Sequence, residues 1–163
     1  LSWIFYDAWK GRKPSAMGTC IAAVVGLVAI TPAAGFVSIP HSLIIGVVAA
    51  LVSNILVDWR SRTGLDDTLD VFPCHGVGGM VGMLLTGVFA HTAVNGANTT
   101  GNGLLFGETH LFIVQSLALV GVSVFAFLGS MALLKLTDII SPLRVSASDE
   151  LEGLDLSQHG EKL

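Results

Sequence analysis

One imidazole lies inside a stretch of lipid length. The run Asp66-Asp67-Thr68-Leu69-Asp70-Val71-Phe72-Pro73-Cys74-His75-Gly76-Val77-Gly78-Gly79-Met80-Val81-Gly82 leads three acids into a segment, Val71 to Ala90, with no acid, Lys or Arg. His75 is the one titratable imidazole within it. Twenty helical residues rise about 30 Å, the thickness of a bilayer's hydrocarbon core. A charge at that depth costs about 3 kcal/mol on insertion scales, so an ionisable side chain there marks a candidate substrate or ion path. Neutral imidazole both donates and accepts, and burial disfavours its charged form. It can therefore pass a proton or align a small polar substrate without holding a permanent charge.

On a continuous helix Asp67, Val71, His75, Gly79 and Gly82 share one face. Two readings of that stripe stand side by side. In one the glycines leave a lumen next to the ring, and Val71 lines it one turn away. In the other His75 hydrogen-bonds a neighbouring helix, and Gly78-xxx-Gly82 only permits close packing. A metal role is poorly supported, because Cys74 and His75 are adjacent and point in different directions, and no cofactor is expected. Asp66 and Asp67 are expected to cap or terminate this helix, with Asp70 against the basic loop Lys10 to Ser15; a proton relay through the three acids is the less favoured role. His41, His91 and His110 fall at the far ends of spans and His159 in the tail. Cys20 and Cys74 read as small hydrophobes. Asn98-Thr-Thr100 fits the glycosylation acceptor pattern.

The elements that must carry these residues are all helical and membrane-length. The chain is 52% hydrophobic and 12% charged, with a mean hydropathy of +0.75, which excludes an ordinary soluble domain. The net charge of −4 comes mainly from the tail and argues against a nucleic-acid surface. Residues 1 to 9 read as the end of one span, with Trp3, Tyr6 and Trp9 suited to an interfacial belt, and a start at Leu1 reads as the C-terminal piece of a longer chain. Four spans follow, over about 16–37, 42–57, 66–90 and 109–134, so that residues 1–135 form a transmembrane region and 136–163 a polar cytoplasmic tail. Gly18, Ala22 and Gly26, and again Gly46 and Ala50, have the spacing of small-residue packing ridges. Thr31-Pro-Ala-Ala-Gly35 should break the first full span. Four crossings put all eight Lys and Arg on one side, which the positive-inside rule makes cytoplasmic.

In Gly11-Arg-Lys-Pro-Ser15, Gly26-Leu-Val-Ala-Ile-Thr-Pro-Ala-Ala-Gly35, Ile45-Gly46-Val-Val-Ala49, Asp66-Asp67, Asp70-Val-Phe72, His75-Gly76 and Gly153-Leu-Asp-Leu-Ser-Gln-His-Gly-Glu161, the chain resembles the Amt/Mep/Rh ammonium transporters, specifically the Amt branch. The resemblance covers essentially the whole chain. Pro73-Cys74 departs from the Gly- or Val-containing sequence expected before the histidine. The resemblance implies an all-α integral membrane fold of eleven helices and a homotrimer in the plasma (cell inner) membrane. This chain would hold the end of helix 7, helices 8 to 11 and the cytoplasmic tail. His75 would be the second of two pore histidines, whose partner, with the gate phenylalanines and an outer aromatic site, belongs to the N-terminal half. Ammonium would give up its proton near the entrance and ammonia would pass along the imidazoles of a narrow apolar conduit, which excludes hydrated sodium and potassium.

Gly153, Asp155, Ser157, His159 and Gly160 would belong to a regulatory tail that couples protomers, with Ser157 standing where some relatives carry a phosphorylatable threonine. A PII-type signalling protein would be the cytoplasmic partner. Two other classes remain: an ammonium sensor of the same fold, and a membrane-embedded electron-transfer subunit, which would need paired haem-ligating histidines where this chain offers one. An enzyme is not expected.

Overall fold

A computed structural model describes residues 1–97 and 101–161. The acceptor pattern Asn98-Thr-Thr100 lies outside the described residues. Among those described, every regular element is helical: α1 (Ser2–Trp9), α2 (Ala16–Ile30), α3 (Ile39–Ser61), α4 (Gly78–Phe89, entered through a π-helical turn, Phe72–Val77), α5 (His110–Ile140), α6 (Ala147–Glu152) and α7 (Leu154–His159). Four helical stretches are long and apolar enough to cross a membrane: Ala16–Ala33, Ile39–Ser61, Phe72–Phe89 and His110–Ile140. The chain forms two compact units, Leu1–Val120 and Gly121–Leu163.

In the first unit, α2 starts where Ser15 caps it, its Oγ accepting from the Gly18 amide at 3.0 Å. The helix ends at Ile30 because Pro32 follows within a 3-10 turn, Thr31–Ala33, and Gly35 takes φ 81° to reverse the chain. Helix α3 begins at Ile39 with Pro40 in its first turn, where a missing N–H costs nothing, and it runs past the apolar stretch to Ser61. Charge does not stop it, because Asp58 and Arg60 both find ion-pair partners.

The core lies between α2, α3 and α4, with Val25, Ala29, Ala33, Ile45 and Ala49 fully buried. Gly82 is the closest approach: a Cβ there would land on the Ala29 carbonyl. Gly78 meets Val25, Val28 and Ser53 in the same seam. The ridge expected at Gly18, Ala22 and Gly26 is met in part: Gly18 lies against Trp3 of α1 and Ala22 packs on the core. A Cβ on Gly26 or Gly46 would meet nothing within 4 Å, because α2 turns its Val25–Ala29 line toward α4, and Gly26 lies about 100° around the helix from Val25.

In the second unit, α5 continues through Lys135 to Ile140. The apolar run stops at 134, but Lys is a good helix former whose stem lies along apolar surface. The stop is Pro142, which bars helical backbone at the residue before it, and the Asp138 carboxylate accepts from the freed Leu143 amide at 2.9 Å. The tail then folds as two short helices, α6 capped by Ser146 and separated from α7 by Gly153 at φ 102°.

Candidate functional site

The turn that carries His75 is held by acids. Its first amides are fully accounted for: Val71 donates to Asp67 Oδ1 at 2.8 Å, Phe72 donates to Asp67 Oδ2 at 2.9 Å, Pro73 has no N–H, and Cys74 donates to the Asp70 carbonyl at 3.0 Å. Asp67 therefore sits ahead of the helix, not on it. The expected span from 66 begins at Val71, since Asp70, at φ 52°, is a left-handed non-glycine residue that helix geometry forbids. Asp70 pairs with Arg60 of α3, whose Nε donates at 2.9 Å, and not with the loop Lys10 to Ser15. Asp66 accepts from Thr68 Oγ1 at 3.3 Å. The loop's own Arg12 is spent elsewhere: it reaches Asp7 at 2.6 Å, Asp58, and Asn54 Oδ1 at 2.6 Å, tying α1 to α3.

The π-helical turn then sets which way each side chain points. Pro73 and Cys74 are buried, Cys74 at 3% exposure, while Val71 at 50% and His75 are exposed. A π turn adds a residue to the helical turn and rotates the register. The stripe expected over Asp67, Val71, His75, Gly79 and Gly82 is consequently split: Gly82 packs on the α2 backbone, as Gly78 beside it packs on Val25, Val28 and Ser53, whereas Val71 and His75 are exposed. Gly82 and Gly78 thus serve close packing, while a Cβ on Gly79 would meet only Val28, at 3.9 Å. His75 instead borders an open groove of about 230 Å³ lined by Met17, Cys20, Ile21, Val24, Leu69 and Cys74, a wall apolar apart from its two thiols.

Sequence reasoning missed a second imidazole cluster. His41 stacks on Phe89 with ring centroids 4.8 Å apart and 7° between planes, and its Nδ1 is 2.9 Å from Ser38 Oγ. His91 meets Phe106 edge-on at 4.3 Å. These partners come from α3, the end of α4 and the following loop, so no sequence spacing announces them. Phe89 lies 14 residues beyond His75, roughly 20 Å along the helix axis, which keeps this cluster out of His75's reach. In the same loop Asn102 donates through its side chain at 2.7 Å and its backbone at 3.0 Å to Glu108, holding that carboxyl below the usual range. In the tail, Ser157 Oγ donates to the Asp149 carbonyl at 3.3 Å, Asp155 lies in the first turn of α7 and His159 in its last, and Gly160 ends it at φ 67°. Among the described residues no three His, Cys, Asp or Glu side chains converge as a metal centre.

Membrane-length helices packed through glycine seams, with an imidazole on an otherwise uncharged span, define a multi-pass membrane protein. The comparisons give its family. Residues 1–163 match the Ammonium Transporter Family throughout, and the chain belongs to that family, one of transporters and not of enzymes. It is 43% identical over 162 residues to a putative ammonium transporter of Methanothermobacter thermautotrophicus, covering 99% of this chain and 40% of that protein. It is 41% identical over 153 residues to the ammonium transporter Amt1 of Archaeoglobus fulgidus, covering 94% and 38%. The crystal structure of Candida albicans Mep2 superposes with a TM-score of 0.82 at 33% identity, over 91% of this chain and 34% of that one. The chain thus spans about two fifths of the length of these curated relatives and forms part of the larger Amt/Mep fold.

Proposed function

We propose that the protein conducts ammonium across the plasma membrane as ammonia, through a narrow apolar pore whose wall includes His75 and, one turn away, Val71. The observation that carries this reading is the orientation of His75. It is the one ionisable imidazole of its span, yet it is turned away from the α2–α3–α4 core while its neighbours Pro73 and Cys74 are buried. A ring that merely filled the core would face the other way. The apolar groove beside it suits a neutral small molecule and offers a hydrated alkali cation nothing to replace its water. Asp66, Asp67 and Asp70 stand at the cytoplasmic end as structural anchors, since Asp67 and Asp70 are engaged by backbone amides and Arg60.

The protein works as a homotrimer with its tail in the cytoplasm, and Gly153, Asp155, Ser157, His159 and Gly160 shape a two-helix element that couples protomers and receives a PII-type partner. Added negative charge at Ser157 would undock it, because the hydroxyl now donates to a carbonyl that a phosphate would repel.

The test is His75→Leu in the transporter reconstituted in liposomes. Ammonium-dependent transport should fail while folding and assembly survive, since the ring is exposed within this chain. Wild-type transport with wild-type selectivity over potassium in that variant would overturn the assignment.

A further inference from the structure

The turn after α4 is built on one imidazole. His91 uses three of its groups there: its N–H donates to the Phe36 carbonyl at 2.9 Å, its carbonyl accepts from the Val94 amide at 3.0 Å, and its Nδ1 accepts from the Ala93 amide at 3.0 Å. Four residues on, Asn95 repeats the last of these bonds, its Oδ1 accepting from the Ala97 amide at 3.0 Å. Both are side-chain-to-backbone bonds two residues long, and they differ in one respect. An amide oxygen keeps its lone pairs at any pH, whereas a ring nitrogen that accepts a hydrogen bond must be unprotonated. A backbone N–H can only donate, so the Ala93 bond exists only while His91 is neutral.

The surroundings give a protonated ring nothing in exchange. His91 packs edge-on against Phe106 with ring centroids 4.3 Å apart, and it shares with His41 a cavity of about 240 Å³ whose other lining residues are Ser38, Val94 and Phe106. No carboxylate is in that lining. Among the described residues, the titratable groups at this end are His41 of α3, Glu108 of the loop and His110 at the start of α5; the α2–α3 link and the end of α4 bring none. Glu108 is engaged by Asn102 at 2.7 and 3.0 Å, and Asn102 in turn accepts from the amide and hydroxyl of Thr92. His41 Nδ1 is matched with Ser38 Oγ at 2.9 Å. A proton on His91 would therefore strip the Ala93 amide of its acceptor and put positive charge beside a second imidazole.

We propose that His91 is a proton-operated latch. Neutral, it closes the 91–94 turn and walls the cavity; protonated, it lets go of Ala93 and frees the turn, over the range of about pH 5 to 8 in which imidazoles change charge. The neighbouring clasp of Thr92, Asn102 and Glu108 contains no imidazole and stays shut over that range, so the motion is confined to the turn and the cavity it covers. Under the orientation proposed above this end of α4 meets the external medium, and the latch reads external pH. It stands independently of the role given to His75.

The experiment is hydrogen exchange of the whole transporter in detergent, read amide by amide and expressed as protection factors, so that the intrinsic pH dependence of exchange drops out. Between about pH 8 and about pH 5, Ala93 should lose about fivefold in protection, the worth of one hydrogen bond, while Ala97 and Asn102 keep theirs. That comparison needs no variant. His91→Asn supplies an acceptor that takes up no proton in this range, as Asn95 already does, and should hold Ala93 protected throughout. Unchanged protection of Ala93 in wild type, a fall that persists in His91→Asn, or a fall shared equally by Ala97 would each overturn the proposal. The second outcome would move the sensing group to His41, and the third would make the loosening general.

Discussion

Arg60 holds Asp70 in the left-handed region: its Nε donates to the carboxylate at 2.9 Å, and Asp70, a non-glycine residue, has a positive φ of 52°. The ion pair offsets the backbone strain that lets the chain turn directly from the 62–69 loop into the His75 helix. Asp70→Ala removes the pair and keeps the strain, leaving a half-buried guanidinium without a carboxylate. It should cost about 2 kcal/mol, less than a fully buried pair would. Asp70→Gly loses the pair but releases the strain, which is worth roughly 1 kcal/mol. Thermal unfolding in detergent should therefore rank wild type above Asp70→Gly above Asp70→Ala. The reverse order for the two variants would show that the backbone conformation is not held by this pair.

Gly82 and Gly26 form a matched pair of substitutions. A methyl at Gly82 would overlap the Ala29 carbonyl, a backbone atom that cannot swing aside. Gly82→Ala should therefore destabilise by roughly 1–3 kcal/mol and separate α2 from α4. Gly26→Ala meets nothing and gains up to about 1 kcal/mol of helix propensity. Comparing their unfolding midpoints checks which glycine line is the seam. Equal effects would mean the packing face has been assigned to the wrong residues.

Glu108 should titrate below a model glutamate, whose pKa is about 4.3, because the Asn102 side-chain and backbone donors, and after them His110, favour its charged form. A depressed carboxylate contributes stability that is present above the unfolded value and is lost as pH falls through the folded one. The 101–108 loop should thus loosen only on acidification below the ordinary glutamate range. The Asn102 amide resonances report this directly. A midpoint at or above 4.3 would contradict the hydrogen-bonded arrangement.

Gly153 and Gly160 both have positive φ, yet they should respond differently to substitution. At φ 102° and ψ 135° Gly153 occupies a region that only glycine adopts readily, whereas Gly160, at φ 67° and ψ 19°, lies where Asn is tolerated. Gly153→Asp should cost the tail roughly 1–3 kcal/mol and reduce ammonium uptake at unchanged membrane abundance. Gly160→Asn should leave uptake near wild type. Full uptake by Gly153→Asp would count against coupling through the tail.

The helices were legible in the sequence because a bilayer imposes a length and forbids charge over it, and those constraints act on composition alone. The break after Ile30 was legible too, since Pro32 acts through its own ring. The end of α5 was less legible: polarity drew the crossing to 134, whereas the helix itself runs on to Ile140, just before Pro142. The family resemblance was carried by local motifs such as Asp66-Asp67 and His75-Gly76, which remain readable wherever the side chains point.

What only the tertiary structure decided is direction. A regular helix puts Asp67, His75 and Gly82 on one face, but Asp67 leaves the helix to cap it and the π-helical turn rotates His75 away from Gly82. The carboxylate that Arg60 chooses, the burial of Cys74 beside an exposed His75, and the meeting of His41 with Phe89 depend on contacts between segments far apart in sequence. Periodicity reports the face a residue occupies on its own helix. The neighbour that face meets is set by how closely the backbones can approach, and here that is decided where Gly82 lies against Ala29.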